Sequence, residues 1–142
     1  MSADIYHEMI VDYSRNPLNF GRLEDPHATF HDSNPLCGDS IGIDLRVEDG
    51  SVSGITFHGK GCAICMACSS VLTEMAKGKT VEEVRRIGKD DVLGELGLEH
   101  LQAVRIKCAL LSLKVLKSAL YGYIAEKGGD TGSLKEDAAG LY

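Results

Sequence analysis

Apolar and polar residues recur with two different periods along this chain, and the change from one to the other falls next to a cysteine. Ile41, Ile43, Leu45 and Val47 alternate with Gly42, Asp44 and Arg46. A period of two predicts a half-buried strand. Asp49-Gly50 then predicts a hairpin turn. The returning strand, Val52 to His58, shifts its apolar phase around Gly54, which predicts a bulge. After Gly59-Lys60-Gly61 the period becomes helical: Cys65, Cys68, Leu72 and Met75 make one stripe, closed by Gly78. Thr80 with Glu83 predicts a capping box that opens a short helix, Val81 to Ile87. A loop containing Gly88, Gly94 and Gly97 leads to a long helix, Arg105 to Glu126, whose buried stripe is Ala109, Leu113, Leu116, Leu120 and Ile124.

Upstream of the sheet, Ile5, Met9 or Ile10, and Tyr13 predict a helix over Ser2 to Ser14, with Ser2 as its cap and Asn16-Pro17 as its end. A loop of turn-forming residues follows and closes with Asp32-Ser33-Asn34-Pro35. Within it, His27 to His31 predict a short edge strand. The elements add up to an α+β fold, a small antiparallel sheet followed by helices packed on one face.

Composition narrows the function classes. With 142 residues, 44% hydrophobic and 25% charged, the chain suits one globular domain. Residues 1–127 are read as that domain. From Gly128 onward the chain has too little apolar surface to order itself, so residues 128–142 are read as a disordered tail. No apolar run is read as long enough to span a bilayer, and Met1 to Ile10 lacks the pattern of a secretory signal. The net charge of −6 argues against binding nucleic acid through bulk charge. Five cysteines cannot all pair with one another. Without an export signal they are expected to be reduced thiols in the cytoplasm.

Three of these cysteines sit where elements join: Cys37 in Asn34-Pro35-Leu36-Cys37-Gly38-Asp39, Cys62 in Gly59-Lys60-Gly61-Cys62, and Cys108 in Arg105-Ile106-Lys107-Cys108. Cys62 and Cys108 are read in the first turns of helices, where unpaired N–H groups favour thiolate. Asp39, two residues after Cys37, shares its side of an extended segment. Three thiolates and one carboxylate suit tetrahedral zinc or the protein side of an iron–sulfur cluster. Cys65 and Cys68 continue a Cys-x-x-Cys-x-x-Cys run, but they belong to the apolar stripe and are read as core. His7, His27, His31, His58 and His100 are scattered and read as surface or loop. Arg105, Lys107, Lys114 and Lys117 read as a solvated basic helix face, in which Lys107 also stands beside Cys108 and can steady a thiolate or persulfide.

Together these residues resemble the U-type iron–sulfur assembly proteins, the IscU/SufU/NifU N-terminal family. The likeness runs over residues 4–126 through Tyr6 to Gly21, Asn34-Pro-Leu-Cys-Gly-Asp39, Gly59-Lys-Gly-Cys-Ala-Ile64, Thr73-Glu74 with Lys77-Gly78-Lys79, and Arg105-Ile-Lys-Cys-Ala-Leu110. The resemblance implies a three-stranded antiparallel sheet with packed helices, the SufE/NifU-like architecture. It implies Cys37, Cys62 and Cys108 as sulfur-accepting and cluster-binding thiols, with Asp39 as the acid that holds and releases the metal. The implied cargo is a [2Fe–2S] cluster, with Zn2+ on the same four residues as the alternative. Implied partners are a cysteine desulfurase, an iron donor and apo iron–sulfur acceptors, and a homodimer is compatible with the pattern. Nucleic acid and membrane are not expected partners. Such a protein is a carrier rather than an enzyme, unless it transfers sulfur as SufU does. Lys107 stands where IscU has histidine, which is SufU-like, whereas the short interval between Cys62 and Cys108 is IscU-like. The Leu-Pro-Pro-Val-Lys segment that IscU offers a dedicated chaperone is absent, so chaperone-driven release is not among the expectations.

Overall fold

The computed structural model describes residues 3–35 and 38–129. Eight elements follow one another: α1 (Ala3–Arg15), β1 (Ala28–Asn34), β2 (Asp39–Glu48), β3 (Ser51–Lys60), α2 (Ala63–Ala76), α3 (Val81–Arg85), α4 (Lys89–Glu95) and α5 (Ala103–Glu126). The strands form one antiparallel sheet in the order β1-β2-β3. This is the α+β architecture that the alternation and its change of period predict. The caps assigned to Ser2 and the tail over 130–142 lie outside the described residues, as does Cys37.

The hairpin joining β2 and β3 turns on Asp49 and Gly50, both with positive φ (53° and 75°), the conformation that matches the twist of paired strands. The register slips between Arg46 and Val47, opposite Gly54 and Val52. That is the predicted bulge. It lets Ile41, Ile43, Leu45, Val52, Ile55 and Phe57 all reach the core. β1 runs on to Asn34, through residues read as a turn, because its pairing with β2 continues as far as Asn34 opposite Asp39.

Two expectations about faces are corrected. A half-buried strand implies that the face of β2 carrying Asp44 meets solvent, yet Asp44 is fully buried. The segment after α1 folds over it, and Arg22 Nε at 2.7 Å, Thr29 Oγ1 at 2.7 Å and the Leu23 N–H at 3.1 Å all donate to its carboxylate. Burial alone raises the pKa of such an acid. Here the bonds from Arg22, Thr29 and Leu23 and the Arg22 charge outweigh it and hold Asp44 below the usual carboxylate range. The same segment covers the free edge of β3: Gly21 N–H donates to Phe57 O and Phe57 N–H to Asn19 O. The basic run on α5 is the second correction. Lys117 is buried and donates to Arg85 O at 3.1 Å, and Lys114 pairs with Asp32 at 2.8 Å, so these lysines tie α5 to its neighbours.

Helices α2 and α5 pack against the sheet and each other, and α1 packs on α2. The capping box is present, with Glu83 N–H donating to Thr80 Oγ1 and Thr80 N–H to Glu83 Oε1. The loop expected between Gly88 and Gly97 contains α4 instead. Asp91 accepts the Gly88 N–H, and Val92 and Leu93 enter the core, which holds a short helix despite Gly94. Helix α5 is long and apolar enough, by length and composition, to cross a membrane, unlike the sequence reading. Of its most apolar stretch 67% is buried inside the protein, as befits a helix contacted on several sides.

Candidate metal centre

The register of β2 against β3 creates the site. Ser40 pairs with Lys60, so Asp39, at the start of β2, comes level with Gly61-Cys62, just past the end of β3. A slip of one residue would turn Asp39 to the other face of the sheet. Gly59 makes the close approach feasible: its φ is 112°, and a Cβ there would collide with the Ser40 carbonyl. Beyond it, Cys62 has extended backbone (φ −67°, ψ 169°) and serves as the N-cap of α2. Its sulfur accepts the Cys65 N–H at 3.5 Å, one of the N–H groups a helix start leaves unpaired.

Asp39 closes the arrangement from the sheet side. It is 2% exposed. Its Oδ1 accepts the Cys62 N–H at 2.9 Å and its Oδ2 accepts the Cys62 S–H at 3.6 Å. Cys108 arrives from α5, buried, its S–H donating to Val104 O at 3.8 Å. One ligand atom each from Asp39, Cys62 and Cys108 lies within 4.8 Å of the other two. Three acidic groups this close repel one another when ionised, and a bound cation removes that repulsion. Two sulfurs and an oxygen match a thiophilic metal that keeps one position for a further ligand.

The four residues singled out from the sequence fare differently. Asp39, Cys62 and Cys108 converge. Cys37 lies outside the described residues; of its neighbours, Gly38 N–H donates to Asn34 O at 2.8 Å. The helix-start argument holds for Cys62 and fails for Cys108. Helix α5 begins at Ala103, so Cys108 stands in its second turn, beyond the unpaired N–H groups.

Cys65 and Cys68 are core residues, both fully buried. Burial, then the charge of Cys62, pushes the Cys68 thiol up to about 12. Burial pushes the Cys65 thiol higher still, and the Asp39 carboxylate is the next contributor. The helical-stripe reading is therefore right about burial but incomplete for Cys65. A Cβ on Gly61 would stand 2.9 Å from Cys65 Sγ and 3.0 Å from Asp39 Cγ, so this thiol borders the site as well as the core. The available signal was Cys-x-x-Cys beginning at a helix cap: a non-helical cap turns its sulfur back over the first turn. None of the five histidines joins the group. His31 bonds to Ser40, His27 Nδ1 accepts the Val47 N–H, and His58 stacks on His31.

The linker after α1 explains why two distant sequence motifs occur together. Leu18 N–H donates to Ser70 Oγ at 3.2 Å, and Asn19 Nδ2 to Thr73 Oγ1 at 3.2 Å and Glu74 Oε2 at 3.0 Å. The Asn-Pro-x-Asn turn thus clamps the helix that Cys62 caps.

A three-stranded antiparallel sheet with a long C-terminal helix, meeting at two thiols and a carboxylate, defines a small protein built to present a thiophilic centre at the end of its sheet. Comparison with known proteins agrees. The NifU-like N terminal domain model matches residues 5–129, and the chain belongs to that family. The iron-sulfur cluster assembly scaffold protein IscU 1 of Archaeoglobus fulgidus is 37% identical over 132 residues, 93% of this chain and 84% of the relative. The zinc-dependent sulfurtransferase SufU of Bacillus subtilis is 34% identical, over 89% of this chain and 94% of the relative. Among solved structures, FiSufU of Fervidobacterium islandicum superposes with a TM-score of 0.72 at 30% identity, over 84% of this chain and 99% of that one. A NifU-like protein from Brucella abortus shares the fold, with a TM-score of 0.67 at 23% identity, over 89% of this chain and 99% of that one.

Proposed function

We propose that this protein is a scaffold on which an iron–sulfur cluster is assembled and from which it passes to apo-proteins. The observation that carries the reading is the convergence of Asp39, Cys62 and Cys108 at the joint between β2, β3, α2 and α5. A [2Fe–2S] cluster is the cargo. Cys62, Cys108 and Cys37 hold it as thiolates and Asp39 as the oxygen ligand. Carboxylate is a hard donor among soft ones, so the iron it holds is the natural point of departure. Sulfur comes from a cysteine desulfurase by thiol exchange onto Cys62, the half-exposed thiol of the group, and iron from a separate donor. Lys107, next to Cys108 in sequence, steadies the charged sulfur. Unpaired thiols that must stay reduced suit work in the reducing cytoplasm. Residues 1–127 form the working domain, consistent with α5 ending at Glu126.

A second reading rests on the SufU relative, named as a zinc-dependent sulfurtransferase. There Zn2+ occupies the same ligands, orders the site and lowers thiol pKa values, while the cysteines carry sulfur onward. Anaerobic reconstitution with iron and sulfide separates the two. The scaffold reading expects visible charge-transfer bands with about two irons per site. Those bands should be lost in Cys37→Ala, Cys62→Ala and Cys108→Ala. A colourless protein that keeps only zinc after this treatment would overturn it in favour of sulfur transfer.

A further inference from the structure

Cys65 has no part in the ligand set, yet its backbone N–H is the group toward which the Cys62 sulfur is turned. Cys62 caps α2 and its sulfur accepts the Cys65 N–H at 3.5 Å. Residues three apart at a helix start have Cα atoms within the span of a disulfide. Cys65 Sγ, in turn, borders the space above Gly61 on whose other side lies the Asp39 carboxylate. The two sulfurs differ in access: Cys62 is half-exposed, whereas Cys65 is fully buried. A half-buried thiol followed by a fully buried one at Cys-x-x-Cys, at a helix start, is the arrangement of a dithiol exchange pair. Cys68 lies one further turn along, on the core side.

From this geometry we infer that Cys62 and Cys65 are a resolving pair that releases sulfide from a persulfide carried on Cys62. The inference rests on the proposed role of Cys62 as sulfur acceptor. The step balances within the chain. Cys65 Sγ attacks the inner sulfur of the persulfide, Cys62 Sγ, and the bond between that sulfur and the terminal sulfur breaks. The terminal sulfur leaves with the bonding electron pair and takes up the Cys65 proton, departing as hydrogen sulfide. Counted over the pair, a dithiol becomes a disulfide and its two electrons reduce sulfane sulfur to sulfide. A second dithiol, external to the chain, reduces the Cys62–Cys65 disulfide and resets the pair by the same exchange chemistry. Cluster assembly consumes sulfide, so this activity supplies the oxidation state the scaffold requires at the place it is required.

The test uses the full-length, metal-free, reduced chain with one equivalent of glutathione persulfide, followed by intact mass, peptide mapping and sulfide trapping. In the wild type the species carrying one added sulfur on Cys62 should decay as free sulfide appears, leaving a chain short of two hydrogens with Cys62 joined to Cys65. In Cys65→Ala the sulfur-added species should persist about tenfold longer or more, with sulfide release falling in step. Cys68→Ser should behave as the wild type. A wild-type persulfide on Cys62 that persists as long as in Cys65→Ala overturns the resolving role and leaves the scaffold reading standing. Failure of every chain to take sulfur on Cys62 overturns the resolving role together with Cys62 as the sulfur acceptor, while cluster reconstitution still decides the scaffold reading. Should Cys65→Ala fail to fold, the wild-type map alone decides, because sulfide release without a Cys62–Cys65 bond refutes the inference.

Discussion

Replacing Asp39 tests the centre most directly. Its carboxylate has partners within the protein, the Cys62 N–H at 2.9 Å and the Cys62 S–H at 3.6 Å. The second of these is lost when Cys62 ligates metal as a thiolate and re-forms when the cargo departs. A hydrogen bond to a charged group contributes about 1.5–3 kcal/mol. The sulfur contact is long, so its lower end applies, and about 1.4 kcal/mol corresponds to about a tenfold change in rate. Asp39→Ala removes this stabilisation of the emptied site along with the oxygen ligand, while the thiolates remain. The variant should therefore reconstitute with iron and sulfide, hold its cluster longer, and pass it to an apo-acceptor about tenfold more slowly. The assay is the growth of the acceptor's own absorption spectrum after mixing with loaded scaffold. Alanine also leaves the Cys62 N–H without its acceptor, at a cost of about 1–3 kcal/mol in stability. Asp39→Asn keeps an oxygen for that N–H but removes the charge and the second oxygen that accepts the Cys62 S–H, so slow transfer in both variants separates release from misfolding. Transfer that is unchanged or faster, with the cluster bound, would refute the reasoning and leave Asp39 as a residue that orders the cap of α2.

Cys68→Ser puts a hydroxyl into a fully buried apolar position. It should lower unfolding free energy by about 1–3 kcal/mol in a urea titration while leaving metal stoichiometry unchanged. Asp44→Ala should cost a similar amount, about 1–3 kcal/mol, because it strands the donors Thr29 and Leu23 N–H. Acid should destabilise the fold in two windows. His58 is held below its ordinary value by burial first and the Arg22 charge second, so the folded state binds its proton less readily, and stability falls as pH drops below about 6.5. Asp44 also has a lowered folded-state pKa, so its contribution is full above the unfolded carboxylate value and is lost as pH falls through the folded one. Urea midpoints measured from pH 8 to pH 3 should drop in both windows, and the lower drop should shrink in Asp44→Ala without vanishing, because Asp32 and Glu83 also have lowered folded-state values.

What the sequence determined by itself is what local periodicity and turn chemistry control. The alternation from Ile41 to Val47, the Asp49-Gly50 turn, the bulge beside Gly54 and the Thr80–Glu83 box each depend on neighbours within a few residues. The structure shows all of them. The candidate site is legible in part, because Asp39 and Cys62 each stand beside a glycine at an element boundary, where thiols and acids are less simply explained by packing; Cys108, in the second turn of α5, lacks that signal. Helix α4 was hidden, since its glycines weaken a pattern that only the burial of Val92 and Leu93 makes good. The burial of Asp44 and Lys117 was hidden too, because whether a charged side chain is buried depends on partners far away in sequence: Arg22 and Thr29 in one case, Arg85 in the other. Cys65 shows the division most clearly. Its helical phase assigned it to the core, and it is there. That it also borders the metal site follows from the extended cap at Cys62, which turns a sulfur back along the helix, and from the strand register that brings Asp39 to the far side of Gly61. Neither is a property of any local stretch of residues. Both arise only when β2, β3 and α2 meet, because register is set by the packing of a whole face.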